Sequence, residues 1–140
     1  MKACVVDASV WVSAQDSTDP FCKRSRAFLS HAVATGIALH VPALAKLEVA
    51  CALARKLRDS AEGERLANFV LNATNAKEQA MSTALLAKSL SIGTAKFLRG
   101  ADAIYIAAAE LLRCNLISWD KEHLQRAGAW KPDDWLDANP

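Results

Sequence analysis

Few residues in this chain interrupt a backbone. Among 140 residues there are five Gly and four Pro, against 28 Ala. That balance favours a helix-rich domain with closely packed helices. Cysteine is sparse as well. Cys4, Cys22, Cys51 and Cys114 lie 18, 29 and 63 residues apart, so no Cys-x-x-Cys pair exists. A zinc knuckle and a thioredoxin-type motif are thereby excluded. Each cysteine sits in apolar sequence, which suits reduced, buried thiols in a cytosolic protein. Charge of one sign is lacking too. The 17 Lys and Arg against 15 Asp and Glu leave +2, which argues against a histone-like or polybasic protein. No Gly-rich phosphate loop is present, which sets aside nucleotide-binding enzymes. The longest uninterrupted apolar run, Ala103–Ala109, falls far short of the ~20 residues of a membrane span. Lys2 and Ala3–Val6 resemble the opening of a signal peptide, but Asp7 ends the apolar region too early.

What is present points to a folded domain. Apolar residues make up 52%, too many for disorder. At about 150 residues per domain, one domain over residues 1–140 is expected. A domain of this size buries roughly two-thirds of its unfolded surface, so it needs no staples. No repeat, linker or low-complexity tract divides the chain.

Residues 3–6 read as a buried strand ended by Asp7. Residues 8–14 read as a short helix or turn, and 16–20 as a polar loop with Pro20 at a helix start. A helix over 21–34 carries Phe28, Leu29, Ala32 and Val33 on one face and closes at Gly36. A strand over 37–41 is stopped by Pro42. Helices over 43–58 and 61–75 follow, the second with a stripe of Leu66, Phe69, Val70 and Ala73. A weak strand over 79–81 precedes a helix over 82–91 ending at Gly93, then a helix over 101–113. Residues 116–119 read as a buried strand, and 121–127 as a short helix ending at Gly128. Asp133 and Asp134, beside Pro132, read as solvated helix-start residues. This alternation implies an α/β fold, a small parallel sheet sandwiched by helices, with helix dominant.

Ligands of open parallel sheets bind beyond the carboxyl ends of the strands. Asp7 and Asp120 stand there by position. Two more acids are oddly placed. Glu48 lies inside a helix, with Leu44, Cys51 and Ala52 on its face until Arg55. Asp102 opens a helix after Arg99-Gly100-Ala101, with Tyr105, Ile106 and Ala109 as same-face neighbours. Carboxylates in apolar surroundings are costly unless compensated, and a divalent cation would compensate them. Simpler roles exist for each. Asp7, Asp102 and Asp120 each precede a helix and fit an N-cap, and Glu48 fits a salt bridge to Arg55 or Lys56. Four such acids in one chain are less easily explained singly. Ser9 and Ser118 place hydroxyls beside two of them.

Val5-Val6-Asp7-Ala8-Ser9, Leu47-Glu48-Val49-Ala50, Arg99-Gly100-Ala101-Asp102-Ala103-Ile104-Tyr105 and Ile117-Ser118-Trp119-Asp120 resemble, in order, the four signature blocks of PIN-domain ribonucleases. The closest likeness is to VapC-type toxins of bacterial type II toxin–antitoxin modules, and it spans nearly the whole chain. Ser118 departs from the family's more common threonine but keeps the hydroxyl. The resemblance implies a PIN-like fold and a cytoplasmic endoribonuclease dependent on Mg2+, with Mn2+ as substitute. Asp7, Glu48, Asp102 and Asp120 would be its catalytic metal ligands, with Ser9 as an outer contributor. It also implies a homodimer, an RNA substrate and a small antitoxin that blocks the acidic groove.

The chemistry is self-consistent. Mg2+ prefers oxygen ligands and is commonly held by carboxylates plus phosphate. A metal that lowers the pKa of its water leaves no need for a histidine base. His31 and His40 accordingly lie away from the acidic blocks; His123, three residues past Asp120, is within reach of the site, but a surface helix position is the favoured expectation. Arg99, Lys96, Lys121, Arg55, Lys23, Arg24 and Arg26 are candidate phosphate contacts. Trp11, Trp119, Trp130 and Trp135 are candidates for base stacking, though core or dimer packing suits tryptophan better. Aspartyl-nucleophile phosphatases need a second Asp two residues after the first, where Ser9 stands. A phospho-acceptor receiver domain needs an acidic pair at strand one, also missing. The non-enzyme alternative is a catalytically silent PIN-like scaffold that binds RNA or protein.

Overall fold

The computed structural model describes residues 2–140. Four short strands, β1 (Ala3–Val6), β2 (Ala38–Pro42), β3 (Lys77–Gln79) and β4 (Asn115–Ile117), form one parallel sheet in the order β3-β2-β1-β4. Eight helices accompany them among the described residues. They are α1 (Ala8–Ala14), α2 (Cys22–Thr35), α3 (Ala45–Leu57), α4 (Ser60–Ala73), α5 (Thr83–Lys96), α6 (Gly100–Leu112), α7 (Lys121–Arg126) and α8 (Pro132–Ala138). No helix among the described residues is long and apolar enough to cross a membrane.

β1 is the centre of the sheet. Cys4, Val5 and Val6 are fully buried, as expected of a parallel strand covered on both faces. It pairs with β2 through Cys4–Leu39 and with β4 through Val5–Leu116. The chain first builds outward to β2 and β3, then returns to add β4 on the other side. Strand order therefore reverses at β1, and a crevice opens beyond the carboxyl ends of β1 and β4. The main chain ties its floor, where the Asp7 amide donates to the Ile117 carbonyl at 2.9 Å. Beyond β4, Trp130 adds a single bridge, its amide donating to Leu116 at 2.8 Å and its carbonyl accepting from Ser118 at 3.0 Å.

Two small residues set helix contacts. A Cβ on Gly63 of α4 would stand 2.7 Å from the Ala54 Cβ and 2.8 Å from the Ala50 carbonyl of α3. Only hydrogen fits where these helices cross. Gly93 corrects the sequence expectation that it ends its helix. α5 runs on to Lys96, and Gly93 lies inside it facing Ala103 of α6. Its role is close packing, while the stop falls on Phe97 in left-handed backbone at φ 55°. Gly36 does close α2, at φ 72°.

The core gathers Trp11, Phe28, Leu39, Leu53, Tyr105 and Trp135, all under 2% or at 2% exposed. Trp130, by contrast, is 37% exposed. All four cysteines are free, but only Cys4 and Cys22 are buried; Cys51 is exposed and Cys114 intermediate. Helical spacing explains Cys51. It lies two residues from the buried Val49 and Leu53 and so faces away from the core. Burial pushes the Cys4 thiol up to about 12, which keeps it protonated and inert.

Candidate metal centre

Asp7 directly follows β1 and caps α1. Its Oδ2 accepts from the Ser9 amide at 3.2 Å and from the Ser118 hydroxyl at 3.1 Å. Ser118, fully buried after β4, also accepts from the Asp120 amide at 2.9 Å. The Ser9 hydroxyl accepts from the Trp119 amide at 3.1 Å. These two serines stitch the loops after β1 and β4 into one unit, so that strand geometry is passed on to Asp7 and Asp120.

Asp120 caps α7. Its Oδ1 accepts from the amides of Glu122 at 2.8 Å and His123 at 3.4 Å, and its side chain lies at the exposed rim. Simple capping thus accounts for part of what Asp7 and Asp120 do. It does not account for Asp102. The N-cap of α6 is Arg99, and Asp102 sits in the first turn without a capping bond. Glu48, in the first turn of α3, does not pair with Arg55 or Lys56. Lys56 is 2.9 Å from both Asp16 and Asp19, while Glu48 Oε1 accepts from the Tyr105 hydroxyl at 2.7 Å.

His123 corrects the expectation of a surface position. It is 1% exposed, and Nε2 points between Asp7 Oδ1 at 3.5 Å and Asp102 Oδ1 at 3.4 Å. Those are ion-pair separations, too long for hydrogen bonds. Neither ring nitrogen has a hydrogen-bond partner among the described residues. Nε2 has its two ion pairs, so only Nδ1 is a buried orphan, at a cost of about 1–3 kcal/mol. The signal was the three-residue step from a capping Asp, which places His123 one turn into α7; a six-residue helix shows no periodicity to say which face is inward.

The charges are coupled. Burial pushes Glu48 above the usual carboxylate range; the Tyr105 hydroxyl opposes this, and the charges of Asp7 and Asp102 add to it. Burial likewise raises Asp102, opposed by His123 and reinforced by Asp120 and Asp7. Asp7 goes the other way. Burial would raise it, but His123 and Ser9 outweigh that and hold it below its ordinary range. Burial would lower His123, but Asp7, Asp102 and Asp120 outweigh it and hold the imidazole above its usual range. Negative charge is in excess and lacks a counter-charge of matching size.

Carboxylate oxygens of this kind are the donors that suit a divalent cation. As the side chains stand, no three His, Cys, Asp or Glu among the described residues converge closely enough to enclose one. A groove lined by Ser9, Val12, Glu48, Arg55, Trp119 and Asp120 leads into the crevice. Of the other candidate basic residues, Arg24 pairs with Asp133 at 3.0 Å, Arg26 bonds the Ala14 carbonyl at 2.7 Å, and Lys96 the Arg126 carbonyl at 3.3 Å. Trp119 does not offer a free face. It stacks on Phe21 at 4.3 Å, lies under the Arg24 guanidinium at 4.8 Å and donates to Ser25 at 2.8 Å.

A sequence comparison with curated proteins gave no match. Among solved structures, PAE2754 of Pyrobaculum aerophilum superposes with a TM-score of 0.74 at 22% identity, over 98% of this chain and 88% of its own. VapC20 of Mycobacterium tuberculosis, a sarcin-ricin loop cleaving toxin, superposes at 0.72 with 14% identity, over 91% and 97%. A toxin–antitoxin complex from Klebsiella pneumoniae follows at 0.67 with 19% identity, over 92% and 97%. At these identities the likeness establishes the fold alone, a small parallel sheet flanked by helices. The family model for the PIN domain matches residues 4–129, a span that contains every acid of the crevice, and the chain accordingly belongs to the PIN domain family.

Proposed function

We propose that the chain is a divalent-metal-dependent endoribonuclease, the toxin of a type II toxin–antitoxin module. It acts in the cytoplasm as a homodimer and is silenced by a small antitoxin laid into the acidic groove. The observation that carries the reading is the approach of Asp7 and Asp102 to one buried point, with Glu48 coupled to both by charge and Asp120 to Asp102. The toxin described from Mycobacterium tuberculosis and the Klebsiella pneumoniae complex support the biological setting by analogy.

Asp7, Glu48, Asp102 and Asp120 would hold Mg2+ or Mn2+. Such an ion lowers the pKa of its water and stabilises the attacking and leaving oxygens of an in-line displacement. The chain's own contribution is placement. Ser9 and Ser118 fix one oxygen of Asp7 and leave the other facing His123. Tyr105 fixes one oxygen of Glu48. Asp120 spends Oδ1 on α7 and keeps Oδ2 for the rim. Arg55, two helical turns beyond Glu48 along the same groove, meets a phosphate of the RNA.

The test is cleavage of mixed RNAs by purified protein with Mg2+, with Mn2+ and with chelator, beside host growth on expression. Cleavage and growth arrest that require metal, and that vanish in Asp7→Asn, are the expected result. Equal toxicity of the two proteins, or no cleavage with any metal, leaves the scaffold reading in its place.

A further inference from the structure

Phe21, the N-cap residue of α2, stands on the wall of the groove that leads to the acids. It lines that groove together with Glu48, Arg55, Trp119 and Asp120. The residue is half-buried, whereas Phe28 of α2 is fully enclosed. Trp119 covers one face of its ring, stacked at 4.3 Å with 9° between the planes. The Arg24 guanidinium, one turn on along α2, lies 5.0 Å from the Phe21 ring and 4.8 Å from the Trp119 ring. Its side chain stays 46% exposed beside Asp133.

Both rings are held from behind. The Phe21 amide donates to Asp19 Oδ1 at 2.8 Å, and Asp19 Oδ2 accepts from Lys56 of α3 at 2.9 Å. The loop before α2 is thereby tied to the helix that carries Glu48. Trp119 donates through Nε1 to Ser25 at 2.8 Å, and Ser25 is bonded to Ser13 of α1 at 2.6 Å. Trp119 itself lies between Ser118 and Asp120, so the stack shares a loop with the acid at the rim. An aromatic that serves packing alone is closed over, as Trp11 and Phe28 are. Phe21 is instead presented at a groove, on a rigid backing, beside Arg24, Arg55 and the carboxylates of Glu48 and Asp120. Aromatic rings with guanidinium groups along a groove are the parts of a site for single-stranded nucleic acid.

Resting on the ribonuclease reading above, we propose that Phe21 is the stacking platform for an unpaired base of the RNA beside the bond to be cut. Trp119 backs the platform, and Arg24 supplies charge for a phosphate of the same stretch. A base inside a duplex has both faces covered, so the platform takes a nucleotide that is looped or single-stranded. Every base has a π-face, and Phe21 therefore gives grip and position more than sequence choice. A ring already fixed in place loses little freedom on binding, so most of the stacking energy shows as affinity.

The experiment uses the full-length protein and an oligouridylate of about ten nucleotides carrying 5-iodouridine. It is run with and without Ca2+, which takes carboxylate and phosphate oxygens as ligands. Irradiation joins the iodinated base to an aromatic ring stacked on it, and mass spectrometry of the digest locates the link. Fluorescence anisotropy reads the affinity of wild type, Phe21→Tyr and Phe21→Leu. In wild type the link is expected on Phe21. Affinity is expected to fall about tenfold in Phe21→Leu, the loss of one stacked base, and to stay within about threefold in Phe21→Tyr, which keeps the ring. The wild-type link decides by itself if the leucine variant does not fold. RNA bound with the link elsewhere or absent, or bound equally by Phe21→Leu, overturns the role of Phe21 and leaves the ribonuclease reading standing. No RNA bound by wild type overturns both.

Discussion

Replacing Tyr105 by Phe deletes one oxygen and keeps the ring. That ring is 1% exposed, and its hydroxyl donates to Glu48 Oε1 at 2.7 Å. A hydrogen bond to a charged acceptor contributes about 1.5–3 kcal/mol. Glu48 is only half-buried, so water takes up part of the lost contact and the expected loss is about 1–2 kcal/mol. Unfolding entropy near 2.1 cal/mol/K per residue gives about 0.3 kcal/mol/K for a chain of 140 residues. The metal-free melting temperature should therefore fall by about 3–7 °C at pH 8. The pH dependence has a definite sign. Glu48 is raised by burial, and the Tyr105 hydroxyl opposes that rise. A carboxyl raised in the folded state carries a penalty that is absent at low pH and grows as pH climbs through the raised pKa. Loss of the hydroxyl raises Glu48 further and enlarges the penalty. The gap between the two proteins should be full at pH 8 and should narrow as pH falls towards the ordinary carboxylate range. Mn2+ affinity should drop about tenfold, the usual effect of removing a partner that orients a ligand. The assay is thermal melting across pH 5–8 with chelator and with Mn2+, beside calorimetric titration. If the variant melts within about 1 °C of wild type at every pH and binds Mn2+ equally, Tyr105 does not hold Glu48 in place.

The same small substitution should have opposite signs at two glycines. Gly63→Ala drives a methyl to within 2.7 Å of Ala54 and should cost about 1–3 kcal/mol despite alanine's better helix propensity. Gly100→Ala meets nothing within 4 Å and should gain about 0.4–1 kcal/mol; urea denaturation reads both, and equal signs refute the packing argument. Asp16 is held down to about 2, first by the Thr18 hydroxyl and then by Lys56. A depressed acid stabilises above its unfolded pKa of about 3.9, so this support should be lost as pH falls from about 4 through about 2. Asp16→Asn should flatten that part of the stability curve, and an unchanged acid limb would count against the assignment. Light scattering at micromolar concentration should report twice the 15.1 kDa chain mass, and a monomer mass would remove the homodimer.

The sequence is legible where local pattern and tertiary role coincide. Val5 and Val6 are apolar on both faces and Asp7 ends them, so the central strand and its terminal acid follow from three residues. α2 shows its Gly36 stop, and α1 keeps the bounds read for it. Trouble begins where a residue's role is fixed from afar. Gly93 looks like a stop until Ala103 is placed against it. Glu48 has basic residues seven and eight positions on, yet its partner is Tyr105, which spacing along one helix cannot name. His123 sits on a helix of six residues, too short for a moment to point inward. The four acids stand out in the sequence one by one, but the contacts around them do not, because those contacts join β1, α3, α6 and α7 across the fold.

The reversal of strand order at β1 has a consequence for synthesis. A chain leaves the ribosome at about 5–20 residues per second, and β1 emerges first. It finds β2 early but must wait for β4, since Val6 pairs with Ile117. Until that residue is out, one flank of the innermost strand is bare and Ser118 is not there to hold Asp7. A nascent chain thus carries its first acid, and then its second, without a centre to put them in. A message cut before β4 yields protein with neither Ser118 to hold Asp7 nor His123 to face it.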